Sequence, residues 1–325
     1  MIASWLGRID LMVRLLLVAI ALAFVAPAAG EARDTAQMVS NGAIFVLFLL
    51  NGLRIDRREV VRGLANLRFL VPLALWVFGG MALAGLAVAT AAGPWLAPEI
   101  GLGFLFLGVL PSTVQSATSY TALAHGNVAL AVIAAAILNI LGVVLSAPLF
   151  ALMAGSAQAD LGLEVVGRIA LILVLPFAIG QAMQKALRGW VADQKARIVW
   201  IDRLVIALAV YVAFSGAVEQ GVWQRLDMAT WTAILGAIAA LLLFAHAGAW
   251  MLGQAVGLPL ADRIALLFSG GQKSAAIGVP LGAILFPPET AGLVLVPLLI
   301  YHLLQLVMAA PLATRLARLR VRSQD

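Results

Sequence analysis

The stretch Ser269-Gly270-Gly271-Gln272-Lys273-Ser274 sets two glycines, an amide, an ammonium and two hydroxyls inside an otherwise apolar segment from Ile264 to Phe286. Lipid offers such groups neither hydrogen bonds nor charge stabilisation, so at membrane depth they are tolerated only where they face protein or a wet cavity. A second interruption of the same kind, Pro111-Ser112-Thr113-Val114-Gln115-Ser116-Ala117-Thr118-Ser119, breaks the apolar run from Ile100 to Ala124. A helix broken near mid-membrane leaves amides and carbonyls without partners. Half-helix N-termini then attract an anion, and carbonyl ends with side-chain oxygens hold a cation. On this chemistry Ser112, Thr113, Gln115 and Lys273 are candidate substrate-binding residues, and Ser116, Ser269, Gln272, Lys273 and Ser274 are candidates for an ion-coupling site.

Positioning these groups falls to long apolar elements. The chain is 63% hydrophobic and 11% charged, and apolar runs near the ~20 residues needed to cross a bilayer recur along it, so it reads as an all-α polytopic membrane protein. Ten spans are expected: Ile9 to Ala28, Ala36 to Leu53, Phe69 to Ala92, Ile100 to Ala124, Val128 to Met153, Val165 to Leu187, Trp200 to Val218, Ala229 to Val256, Ile264 to Phe286 and Ala291 to Leu312. Arg8 and Arg14 ahead of Leu15 to Ala26, with Ala28-Ala29-Gly30 behind it, imitate a secretory leader, but the helix count requires this segment to be kept as a span.

A net charge of +6 in a soluble protein would suggest a nucleic-acid partner. Here the charge sits in a few loops between spans, reports orientation and implies no nucleic acid. With a cytoplasmic N-terminus, Arg54, Arg57, Arg58, Arg62 and Arg68, then Lys185, Arg188, Lys195, Arg197 and Arg203, and finally Arg315, Arg318, Arg320 and Arg322 all face inward, with Arg8, Arg14 and Arg263. Only Arg33, Arg168 and Arg225 fall outside, and Lys273 lies within the membrane. This parity fits ten spans in a cytoplasmic (inner) membrane with both termini in the cytoplasm. The segment from Arg54 to Arg68 reads as an orienting cluster on the inner surface. Trp5, Trp95, Trp190, Trp200 and Trp223 stand near span ends as interfacial anchors, and Glu99 and Glu289 read as solvated outer-loop residues.

Gln115 and Gln272 are 157 residues apart, close to half the chain, so the fourth and the ninth of ten spans carry matching breaks. Corresponding interruptions in two halves indicate an internal repeat, residues 1–158 and 159–325, with the site where the broken helices meet. Five spans per half, an odd number, make the repeat inverted. Cysteine is absent, which excludes disulfides and thiolate metal sites. The spans hold no H-E-x-x-H, no G-x-S-x-G and no carboxylate pair, so hydrolytic and aspartyl mechanisms lack their parts and the chain does not read as an enzyme.

The ten-span inverted repeat, the break at Pro111 to Ser119 followed by Tyr120-Thr121-Ala122-Leu123-Ala124-His125-Gly126-Asn127-Val128-Ala129-Leu130, and Gln272 in the ninth span together resemble the bile acid:sodium symporter family. Gln272-Lys273-Ser274 with Gly278-Val279-Pro280 is similar to its divergent SBF-like branch. The resemblance implies a core domain of helices 3 to 5 and 8 to 10, crossing at helices 4 and 9, and a panel domain of helices 1, 2, 6 and 7. It also implies alternating access and an amphipathic, steroid-like acid or another carboxylate as substrate. Where sodium-coupled relatives place oxygen ligands for one sodium, this chain has Ser116, Ala117, Ala131, Ala135 and Phe268. For the second sodium only Gln272 is left, because the third span has no Gln. His302, in Ile300-Tyr301-His302-Leu303-Leu304-Gln305, resembles a helix-10 element lining the substrate cavity and joins the candidate substrate-binding residues, although the family's following Asn is Leu303 here. Gln305 and Asn139 read as interhelical hydrogen-bonding residues.

Lys273, which aligns with a family Asn, would supply fixed positive charge where relatives recruit Na⁺. The expectation is therefore an organic-anion transporter whose sodium ligands are largely replaced and whose coupling is to protons or absent, not to two sodium ions, with the identity of the coupling ion, Na⁺ included, left open. No resident cofactor is expected, and oligomeric state is left open. Two competing readings are a cation/proton antiporter, which usually needs a buried Asp that no span supplies, and a membrane sensor that binds without transport.

Overall fold

The computed structural model describes residues 11–55, 66–93, 95–155, 167 and 170–322. Among these residues the chain is helical between its turns and breaks, with no strand. In chain order the helices are α1 (Leu11–Val25), α2 (Glu31–Arg54), α3 (Leu67–Leu75), α4 (Met81–Ala91), α5 (Pro98–Val109), α6 (Gln115–Leu123), α7 (Val128–Ala154), α8 (Leu175–Asp193), α9 (Lys195–Glu219), α10 (Met228–Ala255), α11 (Leu260–Gly271), α12 (Ala275–Leu285) and α13 (Pro288–Arg322). A π turn, Trp76–Gly80, joins α3 to α4, and another, Ala170–Val174, leads into α8.

Seven continuous helical stretches among the described residues are long and apolar enough to cross a membrane. The other three expected spans appear as shorter helices. The first is the 15-residue α1, the fourth is divided into α5 and α6, and the ninth into α11 and α12. Each divided span opens with a 12-residue half-helix (α5, α11) and ends in a shorter one. The inner-loop residues Arg8, Arg57, Arg58 and Arg62, the outer Arg168, and the starts of the first and sixth expected spans lie outside the described residues.

Two compact units divide these elements. The first takes α1, α2, α8, α9 and residues 279–295. Within it α2 and α9 run antiparallel and are tied at both ends, by Arg54 to Asp202 at 2.5 Å and by Arg33 to Glu219 at 2.6 Å. Arg33 also reaches Glu289 at 3.0 Å, so Glu289 is an ion-pair partner and not the solvated loop residue expected.

The second unit takes α3 to α7, α10, α11, α12 as far as Gly278, and α13 from Val296. Its helices approach closely where glycine replaces a side chain. A Cβ on Gly85 would stand 2.6 Å from the Phe104 carbonyl, and one on Gly108 would stand 2.6 Å from the Met81 carbonyl, so α4 and α5 pack backbone on backbone. One apolar cluster joins Leu73, Val77, Leu138, Ala249 and Leu266, and another joins Ala117, Phe268, Ala309 and Ala313. With no hydrophobic drive between helices in lipid, such contacts hold them by van der Waals packing. Both breaks lie in this unit.

Candidate functional site

The break after α5 exposes four consecutive carbonyls, and each finds a donor. Gly108 accepts from the Lys273 ammonium at 2.8 Å and Leu110 from the same nitrogen at 2.7 Å. Val109 accepts from the Ser146 hydroxyl at 2.9 Å, and Pro111 from the backbone N–H of Ser274 at 3.0 Å. The third ammonium hydrogen goes to Val77, in the first π turn, at 3.1 Å. Lys273 is fully buried, and three carbonyls saturate its donors. Hydrogen bonds to a charged donor contribute roughly 2 kcal/mol each, so three offset a desolvation penalty of several kcal/mol. The ammonium also sits on the negative pole of α5. Pro111 itself packs where a Cβ on Gly142 would stand 2.4 Å from its ring.

The second break is clamped just as closely. Gln305, on α13, accepts the Lys273 backbone N–H through Oε1 at 2.8 Å and donates through Nε2 to the Lys273 carbonyl at 3.0 Å. The same Nε2 lies 2.9 Å from His302 Nδ1. The Tyr301 hydroxyl donates to the Gly271 carbonyl at 2.7 Å, closing the end of α11.

Side chains join the two breaks as well. Gln272 Oε1 accepts from Thr113 at 2.9 Å and from Ser116, whose hydroxyls lie 2.6 Å apart, while Gln272 Nε2 is buried without a partner. Thr113 Oγ1 also accepts the Ala117 N–H, and Ser274 Oγ accepts the Ile277 N–H. These two bonds are the side-chain caps of α6 and α12 among the described residues. The remaining first-turn N–H groups of both helices have no side-chain acceptor there, so the four carbonyls that end α5 are each occupied while donors stay open.

The expected site residues therefore divide. Thr113, Ser116, Gln272, Lys273, Ser274 and His302 are brought together at the crossing. Ser112 is buried beside them, its hydroxyl 3.5 Å from the Thr113 carbonyl. Ser269 is buried one turn before the second break with its hydroxyl unpartnered. Gln115 is exposed at the start of α6. Gln305 hydrogen-bonds a neighbouring element as expected, whereas Asn139 donates to Ala135 in its own helix at 2.6 Å and so does not join helices through that bond. Ala117, Ala131, Ala135 and Phe268, where the resemblance implies that sodium-coupled relatives have oxygen ligands, are fully buried hydrocarbon.

One buried residue had no place in the sequence reading. His246, on α10, lies against Gly271, where a Cβ would stand 2.8 Å from Nε2. Its Nδ1 faces the Leu242 carbonyl at 2.9 Å, which makes Nδ1 the protonated nitrogen, and its Nε2 is buried without a partner. A histidine in the middle of an apolar span was the available signal.

A family model described as the SBF-like CPA transporter family matches residues 10–318. The chain belongs to that family. The uncharacterized protein PA2026 of Pseudomonas aeruginosa is 36% identical over 310 residues, covering 94% of this chain and 92% of that one. The putative symporter YfeH of Escherichia coli is 34% identical over 307 residues, 93% and 91% of the two chains. Sodium/bile acid cotransporter 7 of Mus musculus is 25% identical over 291 residues, 84% and 82% of the two. As an SBF-like CPA transporter, the chain is a multi-pass membrane protein and a secondary transporter, not an enzyme. Its family implies a small solute as substrate and a lipid bilayer as surroundings.

Proposed function

We propose that this transporter carries a small organic anion, a bile-acid-like or other carboxylate, across the cytoplasmic membrane by alternating access, with coupling to protons in place of sodium. The observation that carries the reading is the asymmetry of the crossing. Carbonyls at the end of α5 are saturated and capped by a tethered ammonium, while the N-termini of α6 and α12 keep open donors. Such a site favours negative charge. Replacement of the family's sodium-ligand positions by Ala117, Ala131, Ala135 and Phe268 supports the exclusion of sodium. Sodium and bile acid stand in the name of the mouse relative, and carboxylate transport is taken from there.

The division into two units supports a panel and a core, the core carrying the crossing, which is the construction that alternating access requires. Matching half-helices in the fourth and ninth spans support inverted repeats at 1–158 and 159–325. The distribution of Arg and Lys supports cytoplasmic termini. Uptake of cholate and shorter carboxylates into proteoliposomes, with pH and Na⁺ gradients varied separately, tests the reading. Accumulation should follow the proton gradient, and strict dependence on Na⁺ would overturn it.

A further inference from the structure

We propose that His302 Nδ1 binds the coupling proton, and that it does so by competing for the clamp that Gln305 places on the Lys273 peptide. This rests on the proton-coupled reading above and names the group that holds the proton. A chain of donors and acceptors fixes the starting state. A backbone N–H only donates, so the atom of Gln305 that faces the Lys273 N–H at 2.8 Å must be the oxygen. The amide nitrogen then has two hydrogens, one directed to the Lys273 carbonyl at 3.0 Å and one to His302 Nδ1 at 2.9 Å. His302 Nδ1 must therefore be a bare lone pair, and the imidazole neutral.

Protonating that nitrogen sets an N–H against the N–H of Gln305. Two donors cannot share a hydrogen bond, and the Lys273 carbonyl, 3.4 Å from Nδ1, can accept in place of Gln305. The imidazolium takes that carbonyl and Gln305 is displaced. The clamp on the second break loosens at the residue whose ammonium holds the end of α5. The proton enters from water on one side and leaves to the other, with no further reactant. His302 is half-buried, whereas Lys273 is fully buried and its ammonium already spends three bonds, so the imidazole is the more accessible acceptor.

Few charges compete. On α13 itself the nearest are Glu289 and Arg315, each 13 residues away, ~20 Å along the helix axis. On α11, Asp262 accepts from Asn127, and Arg263 lies over Trp250. No charged residue stands on α6, whose Tyr120 donates to the Leu306 carbonyl. Tyr301 is engaged with Gly271, His246 with Leu242, and the Lys273 ammonium points at Val77, Gly108 and Leu110. An imidazolium here adds positive charge where the open donors favour an anion, so proton and anion binding reinforce each other reciprocally, which is symport.

The chain has three histidines, which makes the test direct. Protein with ¹⁵N-labelled histidine, in nanodiscs without substrate, is titrated by NMR from pH 8 to 5, the range in which an imidazole changes charge. At pH 8 His302 should show a bare Nδ1 and His246 a bare Nε2, opposite tautomers. On acidification His302 should become doubly protonated, and the Lys273 amide should exchange with deuterium at least about fivefold faster after correction for intrinsic rate, as loss of one hydrogen bond implies. In His302→Asn that acceleration should vanish. A His302 that stays neutral throughout, or that has its single proton on Nδ1, would overturn the proposal, as would equal acceleration in the variant; should the variant not fold, the wild-type titration decides alone. Because no substrate or gradient is used, failure here alongside proton-driven uptake would move the proton to another residue and leave the transport reading intact.

Discussion

The backbone N–H of Ser274 donates to the carbonyl of Pro111 at 3.0 Å, so the two broken spans are joined main chain to main chain where they cross. Around that bond, Ser146 of α7 and Lys273 of the second break donate to carbonyls of the first break, and Gln305 and Tyr301 of α13 donate to carbonyls of the second. Protein donors thus hold the crossing, and no bound cation is needed to neutralise its carbonyl pole.

Removing the ammonium should show this most clearly. Lys273→Met leaves the carbonyls of Val77, Gly108 and Leu110 without their charged donor, and unsatisfied buried groups cost roughly 1–3 kcal/mol each. Thermal unfolding in detergent should register a loss of about 3 kcal/mol or more. In Lys273→Ala, propylammonium restores the missing atoms, and its addition should recover part of that stability where tetramethylammonium, which has no N–H, does not.

Gln305→Leu keeps the volume of the side chain but strips both partners from the Lys273 peptide. Two buried main-chain groups are then orphaned, and a loss of roughly 2–4 kcal/mol in the same assay is expected. Gln305→Glu, which retains the acceptor for the N–H but not the donor, should fall between the leucine variant and the wild type.

Gly108→Ala tests the backbone contact directly. A methyl group 2.6 Å from the Met81 carbonyl forces α4 and α5 apart and moves the very carbonyl that Lys273 bonds. Folded yield after membrane extraction should drop sharply, whereas alanine at Gly42, where a Cβ meets nothing within 4 Å, should be tolerated.

The breaks and Lys273 were legible in the sequence because a hydroxyl, amide or ammonium in an apolar run stands out without any knowledge of its neighbours. What those groups bond was not. The acceptors of the Lys273 ammonium are backbone carbonyls, which every residue has, and the π turn that holds Val77 leaves no compositional mark. Asn139 turned to the carbonyl of Ala135 in its own helix, a backbone acceptor that residue type alone does not reveal. Glu289 pairs with Arg33, 256 residues away, a distance no local pattern spans. Gln305 was read as an interhelical donor, but its grip on both sides of one peptide depends on the second break adopting an extended conformation at Gln272.

We propose that a tethered ammonium has taken the place of a coupling cation, leaving an anion site driven by protons. Uptake of cholate and shorter carboxylates into proteoliposomes measures it most directly, with an inward proton gradient imposed in sodium-free medium and, separately, a sodium gradient at equal pH on both sides. Accumulation is expected in the first condition and none beyond equilibration in the second. Accumulation driven by sodium alone, indifferent to the proton gradient, would contradict it.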